Sequence, residues 1–301
     1  VLRGLKAMVG RHEQGVACMG TIKVGVCGWG DHRDLYRHGV SSRNKLSVYA
    51  SHFPIVELDS SFYAILPQRN YQTWVQETPE RFGFIVKPHQ AMTGHRRLDA
   101  PADRRELFRQ FEESIQPLVE AGKLKTLLFQ FPPWFDCASE HVQYVRACRQ
   151  LLKTYPFSVE FRHQSWFEPR YRERTLDFLR GLEATHVLCD EPQAGEGSVP
   201  IVVAVTNPKL ALVRFHGRNH AGWRNPGKGQ NWRDVRYLYR YSDAELEEWL
   251  PRIRQIAGEA EEVCILFNNN SGGDAVANAK RFSDMLGLKP DGLHPRQLEL
   301  F

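Results

Sequence analysis

The segment Ile55-Val-Glu-Leu-Asp-Ser60 alternates apolar side chains with carboxylates. In an extended chain its apolar residues fall on one face, and Glu57 and Asp59 fall on the other. A segment with helical periodicity follows at residues 69–78. A strand followed by a helix is the repeating unit of a parallel sheet, so the number of such units decides the fold.

The same unit recurs along the chain. Seven further strands are predicted, at residues 22–27, 82–87, 125–131, 158–162, 186–190, 211–216 and 262–267. Helices are predicted at residues 43–52, 69–78, 103–121, 139–154, 171–183, 242–258 and 273–286, and the sixth connection instead contains an expected short strand at residues 201–205. Eight units predict a single-domain α/β fold, a TIM-like (β/α)8 barrel.

The barrel is expected to span residues 21–288. Residues 1–20 are expected to form an N-terminal arm from an over-extended translation start, and residues 289–301 a flexible C-terminal tail. No apolar run approaches the roughly 18 residues of a membrane span, and no secretion signal is recognised. The six cysteines form no C-x-x-C pair, which favours a reduced, cytoplasmic location.

Polar residues stand at the ends of nearly all the predicted strands, where barrel active sites lie. The candidate catalytic residues are Glu57, Asp59, Lys87, Glu160, Asp190 and His216. The candidate residues for binding substrate or phosphate are Trp29, Tyr63, Gln130, Arg162, His163, Trp166, Arg214, Arg218, Trp223 and Asn268. The alternative is that the charged residues are structural ion pairs, but a buried charged cluster costs desolvation that apolar residues would avoid.

The strand-end residues leave the cofactor undetermined. Glu57, Glu160, Asp190 and His216 are candidate ligands for a divalent metal, although no recognised metal-binding spacing is present. In a metal-free alternative, Glu160 or Asp190 acts as general base, His216 or Lys87 donates a proton, and Arg162 and Arg214 bind an anion.

The net charge of +5 does not by itself indicate nucleic-acid binding, but basic residues are concentrated around the seventh strand. Residues 211–240 contain seven Arg or Lys and one acid, Asp234. Within residues 216–234 these cations alternate with Trp223 and Trp232, a pattern suited to phosphates and stacked bases. The alternative is a solvated loop whose tryptophans pack on the barrel rim.

Several motifs in order along the chain resemble the YecE-like family, known as domain of unknown function seventy-two. They include Gly28-Trp29, Val56-Glu-Leu-Asp-Ser-Ser-Phe-Tyr63, Phe84-Ile-Val-Lys87, Gln130-Phe-Pro-Pro133, Glu160-Phe-Arg-His-Gln-Ser-Trp166, Val213-Arg-Phe-His-Gly-Arg218 and Phe267-Asn-Asn269. The resemblance implies a TIM-like barrel without a settled activity. The broad likeness of this family to apurinic endonuclease and sugar isomerase barrels suggests phosphodiester or sugar chemistry by analogy of fold.

The chain ends with Gln297-Leu-Glu-Leu-Phe301, which resembles the pentapeptide that docks bacterial DNA polymerases and repair proteins on the β sliding clamp. Gln297, Leu298, Leu300 and Phe301 are the candidate partner-binding residues. A short apolar anchor on a tether suits binding as an extended peptide. The alternative is a hydrophobic tail folded back onto the barrel.

Three functions remain open at this point. The first is a nucleic-acid-associated enzyme, such as a phosphodiesterase or DNA-repair nuclease, recruited by the clamp. The second is an enzyme for a phosphorylated sugar or other small anion, and the third is a non-catalytic DNA-binding adaptor. The partners expected are DNA or another nucleic acid and the clamp, with no membrane.

Overall fold

Eight parallel strands close into one barrel in the computed structural model, which describes residues 19–36, 40–97, 101–224, 232–289 and 292–295. Each strand pairs with the next in chain order, and β8 pairs with β1. The strands are β1 (Thr21–Cys27), β2 (Ile55–Leu58), β3 (Gly83–Val86), β4 (Leu124–Gln130), β5 (Phe157–Glu160), β6 (Thr185–Asp190), β7 (Ala211–Phe215) and β8 (Glu262–Phe267). The predicted TIM-like barrel is confirmed.

Helices surround the barrel. They are α1 (Lys45–Ala50), α2 (Ser60–Tyr63), α3 (Gln68–Gln76), α4 (Pro101–Glu120), α5 (Ser139–Leu151), α6 (Arg172–Gly181), α7 (His220–Trp223), α8 (Trp232–Arg236), α9 (Asp243–Glu247), α10 (Leu250–Glu259) and α11 (Ala275–Met285). Three-residue or four-residue 3-10 helices occupy Arg33–Leu35, Ser42–Asn44 and Gln164–Phe167.

The single helix predicted over residues 242–258 is wrong, because the structure divides it into α9 and α10. Ser242 begins α9 with the capping box that its sequence predicts. Pro251 lies in the first turn of α10, the one helical position where its missing N–H leaves no hydrogen bond unmade. A new helix therefore starts just before the proline.

The extra strand expected at residues 201–205 is also wrong, although the connection between β6 and β7 lacks a helix as predicted. The backbone N–H of His186 donates to the Thr206 hydroxyl at 2.7 Å, and the His186 Nε2 lies 3.1 Å from the carbonyl oxygen of Val202. Side-chain hydrogen bonds thus attach this segment to β6 in place of a backbone ladder.

Apolar and polar residues divide between the two faces of the strands. Outside the barrel, Phe215 of β7 stacks on Phe267 of β8 with ring centroids 4.6 Å apart, and Trp249 and Phe282 pack against them. Parallel strands are buried on both faces, so charged residues on the inner face must pair with one another. The inner face at the carboxyl ends carries the cluster described below.

Gly25 of β1 allows a close approach to β2. A Cβ atom on Gly25 would lie 2.3 Å from the carbonyl oxygen of Ile55. We expect Gly25→Ala to push the strands apart and lower the free energy of unfolding by about 1–3 kcal/mol. Urea denaturation measures this change.

Gly258 of α10 provides the matched control, since a Cβ there meets nothing within 4 Å. Gly258→Ala should raise the free energy of unfolding by about 0.5–1 kcal/mol, because alanine favours helix. Equal urea midpoints for Gly25→Ala and the unchanged protein would contradict the close approach of the strands.

Among the described residues, no helix has both the length and the apolar character needed to cross a membrane. The structure describes five of the six cysteines, and all five are free thiols.

Candidate functional site

Arg214 of β7 lies at the centre of a buried charged cluster at the carboxyl ends of the strands. Its Nε and Nη2 donate to the two carboxylate oxygens of Glu57 at 2.9 and 2.5 Å. Its Nη1 donates to Glu160, so one guanidinium joins β2 to β5. All three side chains are at most 1% exposed. The strand alternation therefore predicted this convergence correctly.

A chain of polar contacts leads from Glu160 to the solvent. The side-chain Nε2 of Gln130 donates to Glu160 Oε1 at 2.6 Å. Lys87 Nζ donates to the side-chain Oε1 of Gln130 at 3.0 Å. Lys87 Nζ also lies 3.3 Å from Asp59, whose side chain is 37% exposed. The carboxyl ends of four neighbouring strands, β2 to β5, thus hold one continuous network.

The pKa values in this network follow from burial and neighbouring charges. Burial opposes ionisation of Glu160, but the charge of Arg214 and the hydrogen bond from His216 outweigh it and hold the pKa of Glu160 well below its usual range. Burial likewise opposes the charge on Lys87, yet Asp59 and Glu57 raise the pKa of Lys87. Lys87 is therefore an ammonium ion at neutral pH, placed over the Phe62 ring at 4.8 Å.

His216 is a neutral imidazole inside the cluster. Burial and the charge of Arg214 lower the pKa of His216 to about 3, even though Glu160 favours protonation. The amide nitrogen of Asn268 lies 3.0 Å from His216 Nδ1, so Nδ1 accepts, and the proton on Nε2 points toward Glu160 at 3.2 Å. Both ring nitrogens are engaged, which makes His216 a fixed part of the network.

A cavity of about 1280 Å³ opens above the network. Lys87, Gln130, Arg214 and Asn268 form its floor, and residues of the first loop, α8 and the loop after β8 form its walls. The charged residues that line it are Asp31, Arg33, Asp34, Lys45, Asp59, Lys87, Arg214, Asp234 and Arg236. Of the four strand-end acids predicted as catalytic, only Asp59 lines this cavity.

The predicted metal ligands do not fit a divalent ion. In the described part of the chain, Glu160, Cys189 and His216 bring three potential ligand atoms within 4.8 Å of one another. The Arg214 guanidinium already binds Glu160 and lies 3.3 Å from His216 Nε2. Burial also raises the pKa of the Cys189 thiol well above its usual range. The Arg214 guanidinium thus already supplies the positive charge that a metal ion would bring to these residues.

Asp190 and Arg218 are predicted site residues that the structure keeps out of the cluster. Cys189 pairs with Arg214 across β6 and β7, so Cys189 faces inward and Asp190 faces the helices. There Asp190 accepts hydrogen bonds from Arg218, from the Tyr241 hydroxyl at 2.8 Å and from Trp249 Nε1 at 2.7 Å. Both side chains therefore lie outside the Arg214 cluster.

The predicted aromatic and loop residues divide between two regions. Tyr63 lines the cavity and is 57% exposed. Trp29 packs edge-on against Trp74. His163 caps the 3-10 helix Gln164–Phe167, and Trp166 stacks on Phe161 with centroids 3.8 Å apart. His163 and Trp166 therefore pack behind the strands, away from the cavity lining.

Arg162 and Trp223 lie beside the cluster, together with two residues that the sequence did not select. Arg162 Nη1 is 3.7 Å from Glu160, and its Cζ is 4.7 Å from the Trp223 ring. Arg236 lies against the other side-chain partner of this group, with its Cζ 4.6 Å from the Trp223 ring. Glu191 directly follows β6, and its side chain is fully buried. Because Cys189 faces inward, strand alternation predicts that Glu191, two residues later, also faces inward.

Comparisons with known proteins agree with this architecture. A family model described as "Protein of unknown function DUF72" matches residues 23–299. The chain is 51% identical over 281 residues to the UPF0759 protein YunF of Bacillus subtilis (strain 168), a match covering 93% of this chain and 100% of YunF.

Two solved structures add to this finding. A DUF72 family protein from Enterococcus faecalis V583 matches with a TM-score of 0.86 and 37% identity, covering 93% of this chain and 100% of the other. One from Thermotoga maritima MSB8 matches with a TM-score of 0.76 and 31% identity, covering 89% and 99%. The expected YecE-like membership is confirmed, and this chain belongs to the DUF72 family.

Proposed function

We propose that this protein is an enzyme that hydrolyses a phosphate ester in the mouth of its barrel, and that its substrate is a nucleic acid. The observation that carries the proposal is the pairing of Lys87 with Asp59 at the surface of the cavity, 3.3 Å apart, on a rigid buried network. Such a pair offers a fixed cation and a carboxylate to the same bound group.

The proposed reaction uses both members of the pair. Asp59 takes a proton from an attacking water, whose oxygen forms a bond to phosphorus while the bond to the leaving oxygen breaks. Lys87 stabilises the negative charge that develops on the phosphoryl and leaving oxygens. The network through Gln130 holds Lys87 in place, because an ammonium on a flexible stem otherwise has many conformations.

The size and charge of the cavity support a nucleic acid as substrate. Its volume of about 1280 Å³ exceeds the roughly 300–1000 Å³ of ordinary small-molecule sites. Five cations line it, among them Lys87 on its floor and Arg33 and Arg236 on its walls, alongside four aspartates. Hydrolase activity, a role in DNA repair and a cytoplasmic location all belong to this proposal.

The test is cleavage and binding of single-stranded, nicked and abasic DNA by the full chain. We expect salt-dependent binding, and we expect Lys87→Met to reduce cleavage by about tenfold or more. Lys209→Met is the matched control, since Lys209 is exposed just before β7, at the opposite end of the barrel.

Three outcomes separate the alternatives. Equal cleavage by the Lys87→Met and Lys209→Met proteins would contradict the role of Lys87. Binding without cleavage, unaffected by Glu160→Gln, would favour the DNA-binding adaptor. Cleavage of a phosphorylated sugar in the absence of any DNA binding would favour the small-anion enzyme.

Recruitment by the β sliding clamp is a separate part of the proposal. Its residues, Gln297 to Phe301, lie outside the described residues. We expect immobilised clamp to retain the full chain and to lose it when Leu300 and Phe301 are replaced by alanine. Glu299→Ala is the control, because the carboxylate between the two leucines is not one of the anchors. Equal retention of all three proteins would contradict clamp binding through the tail.

A further inference from the structure

Two arginines beside the cavity have buried N–H groups without acceptors in the described part of the chain. Arg162 Nε and Nη2 and Arg236 Nε make no hydrogen bond to any residue that the structure describes. Arg162 is only 3% exposed. An unpaired buried N–H is unfavourable, more so on a charged group, and native proteins rarely leave one without a protein, water or ion partner.

Trp223 connects these arginines. The Cζ atoms of Arg162 and Arg236 lie 4.7 and 4.6 Å from the Trp223 ring. The ring is 5% exposed, and its Nε1 donates to the carbonyl oxygen of Gly197 at 3.3 Å. A buried, hydrogen-bonded indole is a rigid platform, and cation–π contacts hold guanidinium planes against it.

The charges of the two arginines act on each other. Burial and the charge of Arg162 lower the pKa of Arg236 to about 10, so both remain cations at neutral pH. Burial, together with the charges of Lys87, Arg162 and Arg236, also lowers the pKa of His95 to about 4. His95 is therefore neutral, and several cations surround it.

The nearby carboxylates offset this charge only in part. Glu160 already accepts from Arg214 and Gln130. Glu191 Oε1 accepts from the Val199 N–H at 2.7 Å, while its Oε2 lies 3.3 Å from Arg162 Nε without forming a hydrogen bond. Burial raises the pKa of Glu191 to about 7, so its carboxyl is partly uncharged at neutral pH.

We propose that Arg162 and Arg236, which both lie against the Trp223 ring, form a subsite for a phosphoryl group of the substrate beside the cavity. Arg236 lines the cavity, so the phosphoryl group reaches the subsite from there. The planar fork of a guanidinium matches phosphate oxygens, and the oxygens of a bound phosphoryl group would supply acceptors for the unpaired N–H groups of both arginines. This subsite rests on the proposed function and adds a second anchoring point, separate from Lys87 and Asp59.

The probe is inorganic phosphate, titrated into the full chain by calorimetry at neutral pH. We expect Arg236→Met and Arg162→Met each to weaken phosphate binding by about tenfold or more. Arg240→Met is the matched control, since its side chain is 74% exposed and pairs only loosely with Asp274 at 3.6 Å. If Arg162→Met fails to fold, Arg236→Met and Arg236→Lys carry the test, because Arg236 is less buried.

The same proteins are then tested with a short single-stranded DNA, with and without a 5′-phosphate. Weaker phosphate binding by the Arg236 variants supports the subsite, and a matching loss only for the 5′-phosphorylated DNA assigns it to a terminal phosphate. DNA cleavage with phosphate binding that is absent, or equal in the Arg236 and Arg240 variants, overturns the subsite and leaves the proposed function standing. Phosphate binding that depends on Arg236, without DNA binding or cleavage, overturns the proposed function alone.

Discussion

Replacing Arg214 with alanine is expected to lower the free energy of unfolding by about 3–5 kcal/mol. Arg214 is the shared partner of Glu57 and Glu160, and all three side chains are buried. Without the guanidinium, two carboxylates are left facing each other across the barrel with no cation between them. Urea denaturation should show a large fall in the midpoint.

Second substitutions show whether unpaired charge causes the loss. In the Arg214→Ala background, Glu57→Gln should recover part of the stability, since the cluster then holds one carboxylate fewer. Glu57→Gln in the otherwise unchanged protein should lower the free energy of unfolding, because Arg214 loses the carboxylate to which it donates two hydrogen bonds. The opposite signs of the two effects give a coupling that simple loss of packing does not produce.

Arg281→Ala is the control for removing an arginine. Arg281 pairs with Asp243 on the surface, with both side chains at least 50% exposed. Water screens such a pair, so its loss should leave the midpoint nearly unchanged. If Arg214→Ala lowered the urea midpoint no more than Arg281→Ala, the result would contradict the idea that Arg214 neutralises the buried carboxylates of Glu57 and Glu160.

The inner faces of β2, β5 and β7 could be predicted because each of these strands alternates apolar and charged residues. This alternation alone predicts that Glu57, Glu160 and Arg214 lie on the inner face, and the structure brings them into contact. Which residues bond to which could not be predicted, since strand alternation fixes the face but not the register between distant strands.

The sixth strand carries a misleading signal. Its polar residues His186 and Asp190 share one face, and the register with β5 and β7 makes this the outer face of the barrel. Alternation of polar residues therefore points to Asp190, whereas the inward position of Cys189 selects Glu191. A one-residue error in phase moves a side chain to the opposite face of a strand.

The positions of Arg218 and Trp223, in the loop after β7, could not be predicted for a different reason. The alternation of Arg and Trp residues predicts exposed side chains, but Arg218 pairs with Asp190 and Trp223 is 5% exposed. The partners that hold them come from distant segments, such as Gly197 for Trp223. Local composition cannot reveal such partners, because they depend on how the loops pack.

Asp190→Ala should lower the free energy of unfolding by about 2–4 kcal/mol while leaving phosphate binding intact. Removal of the carboxylate would leave the donors of Arg218, Tyr241 and Trp249 without their shared, fully buried acceptor. Arg218 is 24% exposed, so solvent compensates for part of its lost partner. Urea denaturation and phosphate titration on the same preparation measure the two effects.

Asp190→Asn is the informative companion variant. The asparagine amide oxygen can still accept from Trp249 or Tyr241, although the substitution removes the negative charge beside Arg218. Asp190→Asn should therefore lower the free energy of unfolding by less than Asp190→Ala does. A catalytic acid would give the reverse pattern, with activity lost and stability kept in the asparagine variant. Because Asp190 faces the helices, loss of stability with retained phosphate affinity is the result that places this carboxylate in the framework of the barrel.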